Sequence, residues 1–112
     1  MNELMDFSKF KAELEVFAKD RDWEQFHLPK NLAMALNVEA GELLEIFQWL
    51  TLEESMAVKD NPDRMEHIKD EVADIITYTV RLCSILDINI TQAIEKKLKK
   101  NAIKYPAKSH GH

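Results

Sequence analysis

The 112-residue sequence is poor in the residues that punctuate a chain: it has two glycines, three prolines and one cysteine, Cys83. Sandwiches and barrels need a Gly- or Pro-bearing turn roughly every ten residues, so a mainly β fold is excluded. A lone cysteine cannot form an internal disulfide, which fits a reducing compartment. No apolar run approaches the ~20 residues of a membrane span. The opening Met1-Asn2-Glu3-Leu4-Met5-Asp6 lacks the basic and apolar segments of a secretory leader. The expectation is a soluble, cytoplasmic protein with no membrane partner. A basic excess is missing too, since 15 Lys and Arg face 20 Asp and Glu for a net charge of -5. That balance argues against a binder of nucleic acid polymers, but not against an anionic ligand handled through metal ions. What is present is globular composition, 46% hydrophobic and 31% charged, at a length that allows one domain. A chain this short gains from burying surface against further copies of itself.

Apolar periodicity predicts helices throughout. Leu4, Phe7, Phe10, Leu14 and Phe17 recur at spacings of three and four. The segment from Trp23 to Leu28 breaks the pattern, and Pro29 opens a helix that runs to about Leu50. Thr51 with Glu54 reads as a capping box for a short helix. Asn61 as N-cap and Pro62 at the first helical position start a long helix through Leu86, and Asn89 with Gln92 caps a final one ending near Tyr105-Pro106. The expected architecture is all-α, a four-helix-bundle-like domain over residues 1–106 with a frayed tail at 107–112.

The informative residues are charges placed where apolar side chains belong. At about 100° per residue, Leu32, Leu36, Leu43, Ile46 and Leu50 form one arc with Glu39 in its middle, Glu42 about 60° aside and Glu45 a further 60° on. On the next long helix Ile68, Ile75, Tyr78, Leu82 and Ile85 surround the direction of Glu71, with Asp74 beside it. Both helices thus aim an acidic pair, spaced i and i+3, into a shared interface. Buried carboxylates repel one another and need a cation. Mg²⁺, with Mn²⁺ as the alternative, suits Glu39, Glu42, Glu71 and Asp74; the competing explanation is a buried ion pair with Lys or Arg. A di-iron site needs paired Glu-x-x-His motifs, and Glu24 to His27 is the single instance. Trp49 lies two turns beyond Glu42 and Tyr78 one turn beyond Asp74, so both rings flank these carboxylates. Phe7, Phe10, Phe17 and Phe47 are assigned to the core; His67, one turn before Glu71, is read as a helix-surface histidine, with contact to the acidic cluster as the alternative.

The segments Val38-Glu39-Ala40-Gly41-Glu42-Leu43-Leu44-Glu45-Ile46-Phe47-Gln48-Trp49 and Asp70-Glu71-Val72-Ala73-Asp74-Ile75-Ile76-Thr77-Tyr78 resemble the all-α nucleoside triphosphate pyrophosphohydrolases, the MazG-like superfamily. Phe17 to His27 and Lys97 to Pro106 extend the similarity to its small single-domain branch, which includes dCTP pyrophosphatases. The superfamily pattern opens on two adjacent glutamates, and Val38 takes the first place here.

The resemblance implies Mg²⁺-dependent hydrolysis of a deoxynucleoside triphosphate, dCTP or a modified dCTP, to the monophosphate and pyrophosphate, serving nucleotide-pool cleaning. It implies metal ligation by Glu39, Glu42, Glu71 and Asp74, with Glu42 or Glu45 as general base. It further implies a base pocket of Trp23, His27, Trp49 and Tyr78, phosphate contacts from Lys97, Asn101 and Lys104, and assembly as a homodimer or homotetramer. Preference for dATP or dUTP, and a non-catalytic helical interaction module, are the alternatives.

Overall fold

The computed structural model describes residues 6–108. It contains α1 (Ser8–Asp20), α2 (Pro29–Phe47), α3 (Leu52–Ala57), a 3₁₀ turn (Val58–Asp60), α4 (Pro62–Ile85) and α5 (Ile90–Lys104), and no strand among the described residues. Leu4, the first apolar position of the expected opening helix, and residues 109–112 of the expected tail lie outside the described residues.

The helix starts follow their local chemistry. Thr51 and Glu54 form the reciprocal capping box that starts α3. Asn61 accepts from the Arg64 amide and Pro62 occupies the first turn of α4, while Asn89 accepts from the Gln92 amide at the head of α5. α2 has no side-chain cap and depends on Pro29. It stops at Phe47 rather than near Leu50, and Gln48 to Leu50 continue as a turn.

Two helix ends show how a glycine-poor chain reverses. After α1 the Trp23 amide bonds the Ala18 carbonyl and the Asp22 amide bonds that of Lys19; after α4 the Ile88 amide reaches Cys83 and the Asp87 amide reaches Ser84. Both are Schellman closures, and aspartate fills the left-handed position usually held by glycine, with φ of 57° at Asp22 and 55° at Asp87. The first of them delivers Trp23 and the loop to His27 that precedes α2.

α4 is the hub, packed most extensively on α2 and also on α1 and the 3₁₀ turn, whereas α5 makes only marginal contact with the other helices. Full burial is rare. Among the described residues Ala18, Leu32, Val58 and Val80 are the buried apolar ones, and the other two buried side chains are charged, Glu71 and Arg81. Leu52, Trp49 and Ile103 are almost fully exposed. The radius of gyration is 17.4 Å, against ~13 Å for a compact domain of this length. A single chain therefore leaves many large apolar side chains exposed.

Candidate functional site

α2 supplies Glu39 and Glu42, and α4 supplies Glu71. One carboxylate oxygen from each lies within 4.8 Å of the others. Glu71 is 7% exposed, and Glu39 and Glu42 are half-buried. His67 Nε2 stands 3.2 Å from Glu71 Oε2, while Oε1 is buried and reached by no amide, hydroxyl or cationic side chain among the described residues. His67 thus takes the alternative of the two sequence readings and touches the cluster, with an otherwise exposed ring. A buried carboxylate oxygen without a donor needs a proton or a cation.

The electrostatics describe the proton case. Hydrogen bonding to Glu71, then loss of solvent, then the charges of Glu42, Glu71 and Asp74 push the Glu39 carboxyl up to about 7. Glu71 is held below the ordinary carboxylate value, first by the hydrogen bond from Glu39 and further by Glu42 and His67. Near neutral pH Glu39 is therefore about half protonated, and in that form it donates to Glu71. Three clustered hard-oxygen ligands, two of which share a hydrogen bond and one of which buries an oxygen, fit a divalent cation.

Asp74 is exposed and outside the trio, though its charge acts on Glu39 and Tyr78. Glu45 is exposed and also outside it. Beside the trio lies a cavity of about 560 Å³, lined by Trp23, Phe26, His27, Tyr78 and Arg81 among others, with Asp74 at its edge. That volume falls within the range of small-molecule sites. Burial, and then the charges of Glu39 and Asp74, raise the Tyr78 phenol, so the cavity and the carboxylates feel one another directly.

Of the residues singled out from sequence, Glu39, Glu42 and Glu71 come together in the trio, and Trp23, His27, Tyr78 and Asp74 in the adjoining cavity. Four others do not reach either within one chain: Trp49 is 86% exposed, and Lys97, Asn101 and Lys104 lie on the loosely packed α5. Phe17, assigned to the core, is instead 44% exposed and lines the cavity, edge-on to Trp23 at 5.6 Å with the Arg21 guanidinium over its ring. Its spacing is that of a core residue, so periodicity carried no signal of this. Arg81 was missed although a signal existed, a cation on the apolar stripe of α4. It is 6% exposed, and its Nε donates to His27 Nδ1 at 3.1 Å.

Fold and site together define a class of helical proteins in which two packed helices turn carboxylates inward beside an aromatic-lined cavity. A profile of the MazG-like family matches residues 34–112. The chain is 40% identical over 103 residues to dCTP pyrophosphatase 1 of Bos taurus, covering 92% of this chain and 59% of that protein. It is 38% identical over 104 residues to dCTP pyrophosphatase 1 of Homo sapiens, covering 93% and 59%. It thus spans about three fifths of the length of these curated relatives. The crystal structure of a pyrophosphatase from Archaeoglobus fulgidus superposes with a TM-score of 0.81 at 33% identity, covering 96% of this chain and 98% of that one. The chain belongs to the MazG-like family.

Proposed function

We propose that the protein is a divalent-metal-dependent nucleoside triphosphate pyrophosphohydrolase that converts dCTP, or a modified dCTP, to the monophosphate and pyrophosphate. The observation that carries this reading is the junction of a donor-starved carboxylate trio with an aromatic cavity through Asp74 and Tyr78. The similarity to proteins named dCTP pyrophosphatase 1 supports the reaction and favours cytosine as the base.

Glu39, Glu42 and Glu71, joined by Asp74, would hold the cation, with Mg²⁺ the candidate and Mn²⁺ the substitute. When bound, such a cation screens phosphoryl oxygens and lowers the pKa of a coordinated water. The protein's part is to hold the carboxylates ready and to keep His67 against Glu71 so that one of its oxygens stays oriented. Glu42, or Glu45 one turn further on, takes the proton of the attacking water. Trp23 and Tyr78 offer aromatic faces to the base, and stacking on such a face contributes ~1 to 3 kcal/mol per base.

Phosphate contacts from Lys97, Asn101 and Lys104, and a contribution from Trp49, require a second copy of the chain, because one chain leaves these residues away from the site. The accessible surface of 8899 Å² supports assembly, since a compact monomer of 13.0 kDa exposes roughly 6,300 Å². The excess is on the scale of what obligate homo-oligomers bury. The enzyme so described is a cytoplasmic homodimer or homotetramer, and among the described residues no helix is long and apolar enough to cross a membrane.

The test is to incubate the purified chain with each dNTP and NTP and with 5-modified dCTPs, with and without Mg²⁺, and to resolve monophosphate, pyrophosphate and orthophosphate. Mg²⁺-dependent dCMP and pyrophosphate are expected, and Glu39→Gln should abolish them while helical circular dichroism persists. Orthophosphate release would refute the cleavage site. No turnover of any nucleotide would refute the enzyme and leave an interaction module.

A further inference from the structure

Arg81 is the one buried cation among the described residues, and no carboxylate lies within ion-pair distance of it. Its Nε donates instead to Nδ1 of His27, 54 residues away in sequence, at 3.1 Å. A guanidinium has five donors and no acceptor, so the direction of this bond is fixed by chemistry. Nδ1 must carry its lone pair, the ring must be neutral, and the single ring proton must sit on Nε2. Loss of solvent, and then the charge of Arg81, hold the His27 pKa below its ordinary value and so oppose a second proton. Nε2 has no protein partner among the described residues, and the ring lines the same cavity as Trp23 and Tyr78.

We propose that Arg81 is a positioning residue that sets what the base pocket recognises: it locks His27 as the neutral Nε2–H tautomer, so the pocket presents a hydrogen-bond donor. The bases selected are those that offer an acceptor at that edge, a ring carbonyl oxygen or an unprotonated ring nitrogen, over those that offer an N–H there. Trp23 packs beside the same ring, its centroid 6.0 Å from that of His27. The specificity part of the proposal rests on the nucleotide reading of this cavity, whereas the tautomer part does not.

The experiment has two arms. Long-range ¹H–¹⁵N spectra of the full chain without nucleotide, near neutral pH, report the ring nitrogens, with His27→Gln assigning the signals. The wild-type ring should show Nε2 protonated and Nδ1 bare, and Arg81→Met should move both nitrogens toward the averaged shifts of mixed tautomers. In the second arm Arg81→Met should raise the KM for dCTP by about three- to tenfold, the loss of one oriented hydrogen bond, with kcat held within about twofold. If the wild type turns over no nucleotide, the nucleotide reading falls while the spectra still decide whether Arg81 sets the tautomer. A wild-type His27 protonated on Nδ1 would overturn the proposal, and so would an Arg81→Met variant with unchanged ring shifts and unchanged KM. The wild-type spectrum needs no variant to fold.

Discussion

Cation binding at the carboxylate trio should release protons, in an amount that follows from Glu39. Its carboxyl is pushed up to about 7 because it donates to Glu71 and faces the charges of Glu42 and Asp74. A group with that value is about nine-tenths protonated at pH 6, half at pH 7 and one-tenth at pH 8. A divalent cation takes the place of this proton, so binding should release about 0.9 proton per site at pH 6 and about 0.1 at pH 8. Isothermal titration of the metal-free protein with Mg²⁺ or Mn²⁺, in buffers of different ionisation enthalpy, measures the number directly. Apparent affinity should rise with pH and level off above 7. The stability of the metal-free chain obeys the same linkage. Glu39 keeps in the folded state a proton that it loses on unfolding between its ordinary value of 4.5 and about 7. Stability from this group is therefore complete below 4.5 and declines as pH rises through that window. Glu71, held low, acts only at more acid pH and does not cancel the trend. Glu39→Gln should remove both the proton release and the decline. Release that is absent at pH 6, constant with pH, or unchanged in Glu39→Gln would refute the shared-proton account of the site.

Two further predictions concern the scaffold. Asp87 adopts φ of 55° at the Schellman closure after α4, a conformation that costs a residue with a Cβ ~1 kcal/mol. Asp87→Gly should raise the free energy of urea unfolding by up to about 1 kcal/mol, and a fall would mean that the aspartate side chain holds the turn. Trp49 is 86% exposed, so Trp49→Ala should leave the fold of a chain unchanged to within about 0.5 kcal/mol while weakening self-association at least about tenfold. Sedimentation velocity over a dilution series checks this, and an unchanged profile would remove Trp49 from the interface between copies.

Helix starts were legible because each is a local device of four residues: Thr51 with Glu54, Asn61 with Pro62, Asn89 with Gln92. Their amide partners in the structure are those the spacing predicts. The ends of α1 and α4 were harder, since the left-handed residue is usually glycine and here is Asp22 and Asp87, residues that serve as readily in caps and loops. The trio was legible for a different reason. Charge inside an apolar arc violates the period of the helix, and Glu39 and Glu71 each stand at the centre of such an arc. The His27–Arg81 bond was not legible, because it joins a loop to α4 across a separation that no local pattern encodes. Phe17 was misplaced because helical spacing cannot distinguish a side chain that faces a packed core from one that faces a cavity.

Glu71 and Arg81 are the two charged residues among the six most buried of the described residues, and they carry opposite signs on the same helix. A salt bridge between them would have explained both without any ligand. Ten residues of α-helix separate them by ~15 Å along the axis and ~80° around it, so neither neutralises the other. Each is met by a different and incomplete set of partners. Glu71 has His67 on one oxygen and otherwise only the carboxyls of Glu39 and Glu42, whereas Arg81 bonds a neutral imidazole and shares a surface groove with Glu15 and Glu24 without ion-pairing to either. Burial of an incompletely compensated charge costs several kcal/mol, and among the described residues only four apolar side chains are buried to offset it. The two charges mark two ends of one site along α4, with Asp74 and Tyr78 between them. The Glu71 end lacks a cation. The Arg81 end holds a ring whose remaining N–H lacks an acceptor. A ligand that brings phosphates with a metal ion to one end and a base to the other supplies both.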